Sequence, residues 1–124
     1  MQDSEKLLIL LCASASKGGD KKLSYRIAVH LASLGFANIG TLQDLSRQHA
    51  TPGEYQQKMV FINNCGAGCL RVLTHGFNPE KFIYFDVSPF SGVSGFDIDH
   101  YINTEILVKL NDKWILHKST KEAV

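Results

Sequence analysis

Three cysteines stand where chemistry is easily built. Cys12 closes an apolar run, and Cys65 and Cys69 frame a glycine-containing turn, Cys65-Gly66-Ala67-Gly68-Cys69. Thiols ligate soft metal ions, attack as nucleophiles or cross-link. An odd count excludes a fully paired internal disulfide framework, and 124 residues with 44% apolar composition build a core without such staples. Metal binding and thiolate catalysis are the uses left to weigh. Cys65 and Cys69 are about one helical turn apart, a spacing at which two sulfurs can face one point. Gly66 and Gly68 leave backbone amides open, and a helix starting at Cys69 would add a positive field that lowers thiol pKa values. Zn²⁺ takes thiolate sulfur in a tetrahedral shell, which three thiolates and a fourth ligand or a water would fill.

The surrounding elements decide whether the thiols meet. Leu7 to Ala13 is a continuous apolar run, the pattern of a strand buried on both faces, followed by the polar, glycine-containing loop Ser14 to Asp20. Leu23, Ile27, Leu31 and Leu34 recur at helical intervals, and Gly35 ends that helix. Phe36 to Leu42 is a weaker strand candidate, and residues 43–57 read as a loop or one short helix. Lys58 to Asn64 is a second buried strand, Cys69 to His75 a short helix ended by Gly76, and Phe82 to Val87 a third strong strand. Residues 88–97 form a loop. Ile102, Ile106 and Leu110 mark a helix over Ile98 to Trp114. About ten polar residues, 115–124, follow as a tail within a single α/β domain, 1–124.

This alternation predicts a three-layer α/β sandwich around a mainly parallel sheet of about four strands, Rossmann-like, with the first and third strands adjacent as in flavodoxin-like order. Ligands in such sheets collect at the carboxyl ends of strands, where the strand order reverses. All three cysteines fall at that edge, and adjacent strands are only about 5 Å apart.

Thirteen Lys+Arg against twelve Asp+Glu leave a net charge of +1, which argues against a nucleic-acid partner held by phosphate contacts. The N-terminal apolar run falls far short of the roughly 20 residues that span a bilayer, and its mixed-charge leader is not that of an export signal. The expectation is a cytoplasmic location with no membrane partner, a metal ion as the partner, and no readable protein partner.

The strand ending in Cys12-Ala13-Ser14-Ala15-Ser16, and the later Ile62-Asn63-Asn64-Cys65-Gly66-Ala67-Gly68-Cys69 before a helix, resemble the DGC domain family of small α/β proteins, named for an Asp-Gly-Cys motif. The resemblance follows order and spacing over about residues 6–110 and is most specific around 12–16 and 61–71. It implies metal binding, with zinc as the cofactor and Cys12, Cys65 and Cys69 as ligands, and no particular reaction. Asn63-Asn64 replaces the family's Asp-Gly, and its further cysteine near the end of the second strand has no counterpart, with Thr41 or a neighbour in its place. Asp44 and His49 follow the second strand and are weak candidates to complete the shell; His75 is weaker still.

The competing reading is an enzyme. Cys65 and Arg71 are spaced C-x5-R between a strand and a helix, the arrangement of cysteine-dependent phosphatases and arsenate reductases, with Cys65 as nucleophile and Arg71 as oxyanion clamp. Asp86 or Asp97 would have to serve as general acid. A C-x3-C redox pair departs from the C-x-x-C pattern, and the loop after Cys12 lacks both nucleotide-binding glycine patterns.

Overall fold

The computed structural model describes residues 6–11, 23–64, 69–90 and 92–114, without the side chains of Leu42 and Cys69. The expectations for Cys12, Cys65, the loops around them and the tail from 115 lie outside the described residues.

Four strands, β1 (Leu7–Leu11), β2 (Ala37–Ile39), β3 (Met59–Asn63) and β4 (Phe82–Asp86), form one sheet in the order β2-β1-β3-β4. Every pairing is parallel. The expected α/β class and the adjacency of the first and third strands are both present. β1 and β3 are the inner strands, and Leu7–Leu10 and all of β3 are buried. Two buried faces account for runs without polar alternation.

Between the strands lie α1 (Leu23–Ser33), α2 (Leu42–His49) and α3 (Cys69–Leu73). The step from β1 to β2 runs one way across the sheet, and the steps from β2 to β3 and from β3 to β4 run the other way. Right-handed crossovers therefore put α1 on one face and α2 with α3 on the opposite one. On the α2–α3 face Leu8, Leu10, Met59, Phe61, Leu70 and Phe77 form one buried cluster, with Leu45, Phe82 and Tyr84 against it. Phe61 is its centre, its ring edge-on to Phe82 at 5.7 Å and tilted to Phe77 at 6.0 Å. Strand alternation sends Leu7, Ile9, Val60 and Ile62 to the other face. There α1, which lies against β1, β2 and β3, buries Leu23, Ile27, Ala28 and Leu31. Gly35 takes φ +96° just beyond α1, the left-handed conformation of a helix stop.

The polar stretch 43–57 contains more structure than its composition announces. Its helix, α2, is held at its start by a reciprocal cap. The Asp44 N–H donates to Thr41 Oγ1 at 3.1 Å and the Thr41 N–H donates to Asp44 Oδ2 at 2.8 Å. Its end is stitched to the sheet by glutamines. Gln57 Nε2 donates to the Lys6 carbonyl at 2.9 Å, and buried Gln56 Nε2 donates to the Gln48 carbonyl at 3.0 Å.

Residues 94–114 form a separate compact unit. Asp97 caps α4 (Ile98–Tyr101) by accepting from the His100 N–H at 3.0 Å. A π-helical turn, Ile102–Ile106, leads into α5 (Leu107–Trp114). Ile102, Ile106 and Leu110 are the buried stripe. Residues four apart drift around a helix of about 3.6 residues per turn, and one wider turn reduces that drift. Among the described residues no helix is long and apolar enough to cross a membrane.

Phe61→Ala should cost about 3–5 kcal/mol, because its wholly buried ring leaves a cavity between Phe77 and Phe82. Urea denaturation of the purified variant measures this.

Candidate functional site at the carboxyl edge of the sheet

The register defines this edge. Leu11, which precedes Cys12, pairs with Ile62, and Asn63, two residues before Cys65, pairs with Asp86. Cys69 opens α3 on the face of Leu8, Leu10 and Phe61. The chain segments that carry the thiols thus leave neighbouring strands at one edge.

Two asparagines at the end of β3 tie this edge in opposite directions. Asn63 is buried and its Nδ2 donates to Asp86 Oδ1 at 3.1 Å. Asn64 Oδ1 accepts from the Ser24 N–H at 3.1 Å, which caps the first turn of α1. The Ser24 hydroxyl is buried and meets no hydrogen-bond partner among the described residues. Asp86 Oδ1 also accepts from the Ser88 N–H at 3.0 Å and from the Ser88 hydroxyl at 2.7 Å. Burial pushes the Asp86 carboxyl up, but the Ser88 and Asn63 hydrogen bonds and the charge of Arg71 outweigh it, so the group sits below the ordinary carboxylate range.

The residues named from sequence divide between the two edges. Thr41 and Asp44 are at the carboxyl edge, but their side chains are engaged with each other: Thr41 Oγ1 lies 3.1 Å from Asp44 Oδ2, and Asp44 Oδ1 pairs with Arg47 at 3.0 Å. The hydrogen bond from the Thr41 backbone is the main cause that holds Asp44 below its ordinary pKa. His49 does not share that edge as expected. Helix α2 runs back along the sheet, and His49 at its far end packs edge-on to Phe77 at 5.4 Å. His75 lines the same open groove as His49, with Leu45, Val72, Leu73 and Phe77. Among the described residues no group of three or more His, Cys, Asp or Glu side chains is placed to hold a metal ion.

Arg71 lies over the Tyr84 ring, 4.3 Å from its centroid. A general acid working near neutral pH needs a raised pKa, and Asp86 is shifted the other way. Asp97 is engaged as the α4 cap. Asn63, Asn64, Asp86 and Ser88 are the edge residues that sequence reasoning passed over as a set. Their only sequence signal is two amides in a row at the end of an otherwise apolar strand. No family model, curated protein or solved structure matches the chain.

Ser88→Ala removes one of the bonds that hold Asp86 ionised, so the Asp86 pKa should rise toward the ordinary carboxylate value, readable by carboxyl ¹³C NMR titration. A depressed folded-state pKa contributes stability that is present above the unfolded value and lost as pH falls through the folded one. Thr41→Ala should cost about 1 kcal/mol at neutral pH through the lost hydroxyl cap, yet keep most of the acid limb of the stability profile that Asp44 supplies, because the backbone N–H at position 41 remains; denaturation across pH 7 to 2 measures both.

Proposed function

We propose that the protein binds a metal ion, zinc by the chemistry of its donors, through Cys12, Cys65 and Cys69 at the carboxyl edge of the sheet. The observation that supports this most directly is the parallel pairing of Leu11 with Ile62, which makes neighbours of the strands leading to Cys12 and Cys65. The edge is also where the strand order reverses direction, between β1 and β3. Three thiols are a soft donor set suited to Zn²⁺. The resemblance to the DGC domain family around residues 12–16 and 61–71 points the same way. Zinc held there would cross-link the segments after β1 and β3, or, with an open position, act as a Lewis acid.

The protein purified without chelator and with its thiols reduced should carry about one zinc per chain by elemental analysis. Cys65→Ser and Cys69→Ser should each lose most of it. Zinc-free protein after supplementation with reduced thiols would overturn the reading. Turnover of an aryl phosphate by the same preparation, abolished in Cys65→Ser and in Arg71→Lys, would instead favour the C-x5-R enzyme.

A further inference from the structure

We draw no further inference here: the strongest candidate, the open groove between α2 and α3 lined by Leu45, Val72, Leu73 and Phe77 with the exposed His49 and His75, carries nothing, because nothing in the structure shows what covers it and no third metal-ligating side chain joins the two histidines among the described residues.

Discussion

The pairing of β1 with β3 is the constraint on which the arrangement depends. β1 is bonded on both sides, to β2 and β3, and β3 lies between β1 and β4. A strand in that position has helices over both faces, so it accepts a polar side chain only where that group meets a partner, as Asn63 does at the end of β3. Leu7–Leu10 and Met59–Ile62 meet that demand without exception. Once they pair, the direction of every crossover follows, and with it the faces taken by α1, α2 and α3. The carboxyl ends of both strands then open onto one edge.

That edge is held by polar side chains rather than by apolar packing. Buried amides are tolerated only where they meet partners, and here the partners lie on different elements. Asn63 reaches across to Asp86 on β4, and Asn64 reaches to the start of α1 on the other face. The amino edge uses the same device with glutamines: Gln57 reaches the Lys6 carbonyl, Gln56 the Gln48 carbonyl, and the Asn78 N–H donates back to Gln56 Oε1. Both ends of the sheet are thus closed by amide side chains that bind backbone or capping groups. The difference is at Asp86, where a charged group stands at the end of the network and gathers three of its hydrogen bonds on one oxygen.

Much of the fold was readable because its signals are local. The stripe Leu23, Ile27, Leu31 and the runs around Leu7–Leu11, Met59–Asn63 and Phe82–Asp86 announce their elements through burial periodicity alone. Helix α2 was half hidden, since Leu-Gln-Asp-Leu-Ser-Arg-Gln-His is mostly polar. Its legible signal was the Thr41-x-x-Asp44 cap rather than any apolar pattern. The same cap engages Thr41 and Asp44 at the β2 end of the edge, although position and residue type alone made Asp44 a candidate ligand. His49 was misplaced for a geometric reason. Following a strand in sequence puts the start of a helix near the carboxyl edge, but eight residues of helix carry its end back along the sheet.

The sequence by itself determined the α/β class, the order of buried strands and the position of each cysteine relative to a strand end. All three follow from hydrophobic periodicity, which is a property of short windows. Only the tertiary structure decided which polar groups at the edge are engaged and which are available. Asn63 and Asp86 are 23 residues apart, and Ser24 and Asn64 are 40 apart. Their hydrogen bonds exist because strand register brings them together, and no local pattern in the chain encodes that register.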